Sequence, residues 1–279
     1  MQPSRSDWVM YHHTVRSLPL KEQFRAASLA GCGALTTGPH EYLTMLTQGI
    51  STRDMKKMAA DFGIRFDHLD AFARWVPQRP DQIAEMMRYD EDDFFRIADA
   101  LEAKSLGAIA LFPKGAISMN EMIDGFGQLC RRAARHGLKV ALEFIPMGAV
   151  YDLATAWQII SSVNAPNSGI VFDFWHYYRG HPDDALLRSI PGRWIAGVQF
   201  DDATATLPTG VTMVEDTVMR RKAPGEGEFR IREVVAILRD IGGLNNPGPE
   251  ILSAEFDKMT AEEIAAKVRS SMTWALSVN

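Results

Sequence analysis

The sequence predicts a single α/β domain of the (β/α)8-barrel class, and two observations support this. Short apolar runs rich in β-forming residues alternate with longer stretches whose apolar residues recur every three or four positions, which is typical of βα units. Eight units of about thirty residues each account for the length of 279 residues, and no Pro/Gly/Ser-rich linker divides the chain. We therefore expect one TIM barrel over residues 1–279.

Eight segments have the composition of strands. They are residues 8–12, 34–36, 65–69, 108–111, 140–144, 169–172, 195–200 and 251–256. Helical periodicity lies between them, over residues 20–30, 90–104, 120–136, 152–163 and 230–241. Glycine often stands between a helix and the next strand, as at Gly63 and Gly137, where a left-handed helix cap favours it. A long loop is expected over residues 207–227.

The same alternation also fits an open, doubly wound sheet. A dinucleotide-binding sheet of that kind would carry Gly-x-Gly-x-x-Gly after its first strand. Gly31, Gly33 and Gly38 lack that spacing, so the barrel is favoured.

The composition restricts the classes of partner. The formal net charge is -5 and the basic residues are scattered, which argues against a nucleic-acid surface and favours a small-molecule partner. Residues 1–7 contain no long apolar run after a basic start, and no segment has about 18 uninterrupted apolar residues, so we expect a cytoplasmic protein without a membrane partner. Cys32 and Cys130 are isolated and are expected to be buried without forming a disulfide.

Four polar residues interrupt or end the last four apolar runs, and we predict that they bind a metal ion. They are Glu143, Asp173, Gln199 and Glu255. The carboxyl ends of barrel strands converge, and a buried carboxylate needs a compensating charge. Three carboxylates and an amide oxygen suit Mn²⁺ or Mg²⁺ best, while Zn²⁺ and Co²⁺ remain possible. The alternative is that each residue is an ordinary strand-end group paired with Arg or Lys.

Five segments resemble the xylose isomerase-like barrel superfamily, in particular its sugar phosphate isomerase/epimerase branch. They are residues 142–146, 173–176 (Asp-Phe-Trp-His), 198–203, 224–227 (Pro-Gly-Glu-Gly) with Arg221, and 253–255. The resemblance implies that the same four residues bind a divalent ion. Many sugar epimerases of this superfamily carry His on strand seven, whereas this chain has Gln199, a departure shared with some 3-dehydroshikimate dehydratases.

The resemblance also identifies candidate substrate contacts among the histidines. His176 follows Asp173 by three positions, so both could face the pocket if a helical turn follows the strand. In relatives with Asp-x-x-His the histidine contacts substrate oxygens. His12 ends the first predicted strand and His68 lies in the third, so both are placed at the mouth. Each of the three could instead be a satisfied histidine without a role.

Arg221 precedes the Pro-Gly-Glu-Gly segment, where similar proteins carry an arginine that reaches the substrate, although Arg220 competes for this role. Lys114 would supply a second positive charge, but a solvated lysine is the commoner outcome in a loop. Trp175 is a candidate pocket wall. Aromatic residues flank the predicted ligands at Phe112, Phe144, Phe172, Trp175 and Phe200, and they favour a cyclic substrate if several face inward.

The sequence therefore predicts a metal-dependent isomerase or epimerase that abstracts a proton from a hydroxy-carbonyl compound through an enediolate. The resemblance implies that Glu143 and Glu255 exchange the proton, with His176 and Arg221 orienting the oxygens. The runner-up is a lyase of the 3-dehydroshikimate dehydratase type, and the nonenzymatic alternative is a metabolite-binding barrel. A nuclease is disfavoured by the dispersed histidines and the acidic balance. An apolar face at residues 272–276 is a candidate homodimer contact.

Overall fold

The fold is taken from a computed structural model of the chain, which describes residues 7–76 and 88–277. Residues 1–6, which belong to the polar amino terminus, lie outside the described residues. Both cysteines are buried and free, as predicted. In the part of the chain that the structure describes, no helix is both long and apolar enough to cross a membrane.

Eight parallel strands form one sheet in chain order within residues 7–76 and 88–277. They are β1 (Val9–Met10), β2 (Ala34–Thr37), β3 (Arg65–Phe72), β4 (Ser105–Ala108), β5 (Lys139–Glu143), β6 (Ser168–Asp173), β7 (Ile195–Phe200) and β8 (Pro247–Pro249). Each strand pairs in parallel with the next, which requires a crossover connection after every strand. The predicted (β/α)8 barrel is confirmed.

The first and last strands close the barrel. Tyr11 N donates to Pro249 O at 3.3 Å, and Thr14 Oγ1 donates to the same carbonyl at 3.0 Å. Gly248 makes this approach possible, because a Cβ at that position would overlap the carbonyl oxygen of Val9. The closed sheet therefore depends on a residue without a side chain in β8.

Eleven α-helices are described around or above the barrel. They are α1 (Leu20–Ala30), α2 (Pro39–Thr47), α3 (Thr52–Asp61), α4 (Glu91–Leu101), α5 (Met119–Ala133), α6 (Leu153–Val163), α7 (Phe174–Arg179), α8 (Asp184–Ser189), α9 (Met213–Met219), α10 (Ile231–Asp240) and α11 (Ala261–Leu276). Capping boxes begin several of them, as at Ser51 with Asp54 and at Thr260 with Glu263, where side chains satisfy free backbone N–H groups. Their apolar faces bury Phe24, Phe126 and Ile160 against the strands.

Two strands lie away from their predicted positions. β4 covers residues 105–108 instead of 108–111, and β8 covers 247–249 instead of 251–256. The segment Pro247-Gly248-Pro249 lacks β-forming residues, yet its carbonyls accept hydrogen bonds and its glycine allows barrel closure. β4 likewise contains Ser105 and Gly107, which gave no strand signal.

Two further predictions need correction. The expected loop over residues 207–227 contains α9. The apolar face at 272–276, predicted as a dimer contact, is largely used within the chain, since Met272, Ala275 and Leu276 are buried and α11 packs against α1. Within this segment Trp274 is the exposed apolar residue.

Candidate active site

The carboxyl ends of β5, β6 and β7 bring three of the predicted ligands to one side of the barrel mouth. Glu143 and Asp173 are the last residues of their strands, and Gln199 lies one residue before the end of β7. Asp173 and Gln199 are direct neighbours in the strand register. All three side chains are buried, although each carries polar atoms. The site therefore begins with two carboxylates and an amide that need partners.

His176 joins Glu143 and Asp173. Asp173 Oδ1 accepts a hydrogen bond from the backbone N–H of His176 at 2.7 Å, which caps α7 and fixes the first turn after the strand. His176 Nε2 lies 3.1 Å from Glu143 Oε1. One ligand atom from each of Glu143, Asp173 and His176 lies within 4.8 Å of the other two. The three side chains are thus arranged as a group that could hold a metal ion.

Gln199 is fully buried, and neither atom of its side-chain amide has a hydrogen-bond partner among the described residues. An unsatisfied buried polar group costs about 1–3 kcal/mol. The buried amide oxygen beside Asp173 therefore fits a further ligand at this position, which suits a bound ion or a substrate hydroxyl.

Arg221 is buried beside the same group and uses its donors within the protein. Nη1 donates to Asp173 Oδ2 at 2.7 Å and to Asp201 Oδ2 at 2.5 Å, and it lies 3.6 Å from Glu250 Oε2. Nε donates to Thr217 O at 3.0 Å and Nη2 to Thr217 Oγ1 at 2.8 Å. These donors of Arg221 contact groups of the protein, whereas the sequence predicted contact with a substrate. The guanidinium balances the charge of three carboxylates.

Glu255 is not part of this group, which corrects the predicted set of ligands. Its side chain is 66% exposed, and its Oε1 accepts a hydrogen bond from Lys267 Nζ at 2.8 Å. The physical reason is the position of β8, which ends at Pro249, so that Glu250 follows the strand directly. Glu250 is buried, and its Oε1 lies 3.2 Å from His13 Nδ1.

Two other predicted substrate contacts, Lys114 and Trp175, make contacts within the protein. Lys114 is exposed, with its Nζ 3.5 Å from the centre of the Tyr151 ring. Trp175 is fully buried, its indole N–H donates to Asp216 Oδ2 of α9 at 2.8 Å, and its ring centre lies 5.5 Å from the Arg221 guanidinium carbon. For Lys114 and Trp175 the structure gives no support to a role in binding substrate.

His12 follows the carboxyl end of β1, whereas His68 pairs with the first residue of β4. His12 Nδ1 is 3.3 Å from Thr36 Oγ1, and its Nε2 is 3.8 Å from Glu41. His68 projects inward from β3, with its Nδ1 2.8 Å from Ser105 Oγ. Their roles as substrate contacts stay predictions.

Four buried or partly buried residues at the mouth were not predicted. They are His13, Asp70, Asp201 and Glu250. Asp70 lies two residues after His68 on β3, and Asp201 lies two residues after Gln199, so each shares a side of its strand with a residue that was singled out. Period-two spacing was the available signal for these two. The places of His13 and Glu250 at the mouth depend on where β1 and β8 end. The sequence pattern did not define those ends.

Burial controls the protonation of the group. Burial, followed by the charges of Asp70 and Asp173, raises the pKa of Glu143 well above its ordinary value. Burial alone would raise the pKa of Asp173 too, but Arg221 and His176 hold it below its ordinary value. Burial lowers the pKa of His176 to about 4. The site thus combines a carboxylate that favours its charged form at Asp173, a neutral imidazole at His176 and a glutamate that holds a proton more readily than a free glutamate does.

Residues 24–274 match the model of the family described as xylose isomerase-like TIM barrel. An inosose isomerase from Bacillus subtilis is 30% identical over 169 residues, which cover 58% of this chain and 59% of that protein. The chain aligns with 46% to 59% of the length of three curated inosose isomerases that it matches. A 3-dehydroshikimate dehydratase from Pseudomonas putida is 22% identical over 258 residues, covering 88% of this chain and 38% of that protein.

Among solved structures, the fold is similar to the IOLI protein, crystallised with a bound zinc atom. The TM-score is 0.85 at 22% sequence identity, with 97% of this chain and 98% of that chain covered. At this identity the similarity concerns the barrel itself, and the residues of the mouth must be judged on their own geometry.

Proposed function

Since this chain belongs to the xylose isomerase-like TIM barrel family, we propose that it is a divalent-metal-dependent isomerase of a hydroxy-carbonyl compound, with a cyclic polyol ketone such as an inosose as its substrate. The observation that carries the proposal is the buried group of Glu143, Asp173 and His176, whose ligand atoms lie within 4.8 Å of one another at the carboxyl end of the barrel. The similarity to an inosose isomerase supports the choice of substrate.

The residues present fit a divalent ion. Glu143, Asp173 and His176 would hold it. Gln199 Oε1, which is buried beside Asp173 and has no hydrogen-bond partner among the residues described, is a suitable further ligand. The inclusion of a histidine nitrogen changes the expected preference, because a mixed nitrogen and oxygen set suits Zn²⁺ or Mn²⁺ better than Mg²⁺. The zinc in the similar IOLI structure agrees with this choice.

When bound, the ion would polarise the carbonyl and hydroxyl oxygens of the substrate and make the adjoining C–H more acidic. Glu143 would take the proton from the carbon that bears the hydroxyl and return it to the carbon that bore the carbonyl, while the hydroxyl proton moves between the two oxygens. His176 Nε2, 3.1 Å from Glu143 Oε1, would fix the orientation of that carboxyl group. Burial of Glu143 favours proton uptake, which a base of this kind requires.

The test is the reaction of an inosose in deuterated water, followed by proton NMR for loss of signal at the exchangeable carbon. We expect Glu143→Gln to lower turnover by a factor of about 10³ or more, because the residue would lose its ability to accept a proton. Glu255→Gln is the matched control, since this exposed glutamate pairs with Lys267, and it should retain activity. An active Glu143→Gln variant would contradict the proposal. A protein that takes up no divalent ion would favour a metabolite-binding barrel without turnover.

A second candidate is a lyase of the 3-dehydroshikimate dehydratase type. The Pseudomonas putida dehydratase aligns with 88% of this chain, a larger share than the inosose isomerase. The same proton abstraction by Glu143 would then be followed by loss of a β-hydroxyl group instead of return of the proton. Incubating the metal-loaded protein with 3-dehydroshikimate and recording ultraviolet absorbance distinguishes the two reactions, because only the lyase forms an aromatic product.

A further inference from the structure

A cavity of about 360 Å³ opens at the end of the barrel opposite the candidate active site. Val9, Ser105 and Lys139 line it, and each is the first residue of its strand. Glu143 and Asp173 are instead the last residues of their strands, and all eight strands are parallel. This amino-terminal cavity is therefore entered from the face of the barrel that is remote from the mouth.

The cavity exists because small side chains occupy positions inside the barrel. The interior of a (β/α)8 barrel is usually filled by layers of Val, Ile and Leu side chains. In this chain Ser105 of β4, Ala141 of β5 and Gly197 of β7 line the cavity instead. Space that branched side chains would fill is therefore left open at this end.

Exposed cationic side chains surround the opening of the cavity. Lys104 and Lys139 both line it, and they lie on adjacent chain segments, since Lys139 N donates to Lys104 O at 3.0 Å. Lys139 also lines an adjoining cavity, together with Arg193. Among the residues that the structure describes, none of these three side chains has a carboxylate within ion-pair distance. Their charges are thus available to a ligand.

The acidic residues that line these two cavities do not cancel the positive charge. Asp67 lines the amino-terminal cavity, but its Oδ1 accepts a hydrogen bond from Arg65 Nε at 3.2 Å. Asp7 lines the adjoining cavity. With Arg65 included, the cations at this face outnumber these two carboxylates by two, whereas the whole chain has a formal net charge of -5. An anion is therefore attracted to this end of the barrel more than to the rest of the surface.

A buried polar group also lines the amino-terminal cavity. His68 is 7% exposed, and its Nδ1 lies 2.8 Å from Ser105 Oγ. Its Nε2 has no hydrogen-bond partner among the described residues, because Asp70 Oδ1 at 3.7 Å is too far away for a hydrogen bond. An apolar occupant would leave this imidazole unsatisfied, so the inner part of the cavity suits water or a ligand that carries hydroxyl groups.

We propose that the amino-terminal cavity binds a small metabolite that carries a phosphate group, with the phosphate between Lys104 and Lys139. Lysine ammonium groups attract phosphate as point charges, and the walls of a cavity strengthen that attraction. The volume of about 360 Å³ is larger than a phosphate group needs and falls within the range of small-molecule sites. The inference goes beyond the proposed function, which concerns the opposite end of the barrel.

The experiment measures phosphate binding to protein from which metal has been removed with a chelator, because an ion at the mouth would itself attract phosphate. Inorganic phosphate is titrated into ¹⁵N-labelled protein, and the amide signals are followed by NMR. We expect saturable shifts at Ser105, Gly137 and Lys139, which line the cavity. Glycerol 3-phosphate should bind at least as tightly, because the cavity holds more than the phosphate group. Exclusion of this ester, or shifts confined to the amides around Glu143, would contradict the proposal.

Three variants locate the binding. Lys139→Gln removes the cation that both cavities share, and we expect the affinity for phosphate to fall by about tenfold or more. Ser105→Leu keeps every charge but fills space beside the lysines, so it should weaken binding to a similar extent. Lys114→Gln is the matched control, since this exposed lysine follows the carboxyl end of β4, and it should bind as the unaltered protein does.

Circular dichroism confirms that each variant is folded. If Ser105→Leu bound phosphate as tightly as the unaltered protein, the exposed lysines alone would account for binding, and the cavity site would be overturned. The absence of saturable binding would overturn it as well. Both results would leave the metal-dependent reaction at the mouth untouched, because the titration is carried out without metal.

Discussion

Arg221 Nη1 lies 2.7 Å from Asp173 Oδ2, with both side chains buried. Arg221 comes after α9, and Thr217 of that helix holds the guanidinium through its carbonyl and hydroxyl oxygens. The connection after β7 is therefore fastened to the end of β6 by an ion pair at the base of the site. This relationship gives Arg221 a positioning role, and against the effect of burial the guanidinium helps to hold the pKa of Asp173 below its ordinary value.

Replacing Arg221 should destabilise the protein strongly. In Arg221→Gln, Asp173, Asp201 and Glu250 lose a buried positive charge, and we expect the free energy of unfolding of the metal-free protein to fall by about 3–5 kcal/mol. Urea denaturation measures the free energy of unfolding. The adjacent Arg220 is the matched control, since it is exposed and lies 3.8 Å from Glu215, so Arg220→Gln should change stability by less than about 0.5 kcal/mol. Equal effects of the two substitutions would contradict the assigned role.

Glu143 should make the stability of the metal-free protein depend on pH. Its pKa in the folded state is raised above the ordinary value of 4.5, so between these two pKa values the folded protein retains a proton that the unfolded chain has released. The contribution of Glu143 to stability therefore falls as the pH rises above about 4.5. Glu143→Gln lacks this effect, and its stability relative to the unaltered protein should increase from pH 5 to pH 8.

The measurement is urea denaturation at several pH values in the presence of a chelator. Glu255→Gln, which alters an exposed glutamate, should show no such trend relative to the unaltered protein. Adding Zn²⁺ or Mn²⁺ should reverse the order for Glu143→Gln, because the unaltered protein gains binding energy that the variant lacks. A difference between the two proteins that does not vary with pH would argue against a shifted Glu143.

Asp202 should control the order of the segment at residues 223–229. Its carboxylate accepts hydrogen bonds from the backbone N–H groups of Ala203, Gly225, Gly227 and Phe229, at 2.8–3.0 Å. Asp202→Asn replaces one acceptor oxygen by a donor, so we expect a loss of about 1–3 kcal/mol. Faster hydrogen exchange at the amides of Gly225 and Gly227 is the specific readout. Asp240→Asn provides a control, because this aspartate lies in α10 outside the segment and its side chain is 72% exposed.

Gly248 should be intolerant of a side chain. In Gly248→Ala the new Cβ would overlap the carbonyl oxygen of Val9, and we expect a loss of at least about 3 kcal/mol or failure to fold. Gly127 in α5 is the control, since a Cβ there would meet only ordinary contacts at 3.6–3.7 Å. Gly127→Ala should raise stability by about 0.5–1 kcal/mol through its helix propensity. Thermal unfolding compares the two, and a stable Gly248→Ala protein would contradict the described closure.

The sequence predicted the parts of the molecule that local patterns define. β5, β6 and β7 have apolar centres, with β-branched and aromatic residues frequent in β6 and β7, and each was predicted within one residue of its bounds. Glu143, Asp173 and Gln199 were found for the same reason, as polar interruptions of these runs. His176 was found through its spacing from Asp173, which a capped helical turn after β6 realises.

The remaining parts depend on long-range packing. β8 consists of Pro247-Gly248-Pro249, which has no local preference for a strand and is recruited by contacts with β1 and β7. Because the sequence suggested a strand over residues 251–256, it indicated Glu255 rather than Glu250 as the buried glutamate. Arg221 was identified as important, but its partners could not be predicted because they come from three separate strand ends.

The contact between His13 and Glu250 at the barrel mouth depends on the closure of β1 against β8. His13 and Glu250 are 237 positions apart in sequence, and they meet only after every intervening unit has taken its place. A ligand that contacts both His13 and Glu250 would bind the closed barrel and not an open one, so it would stabilise closure by mass action.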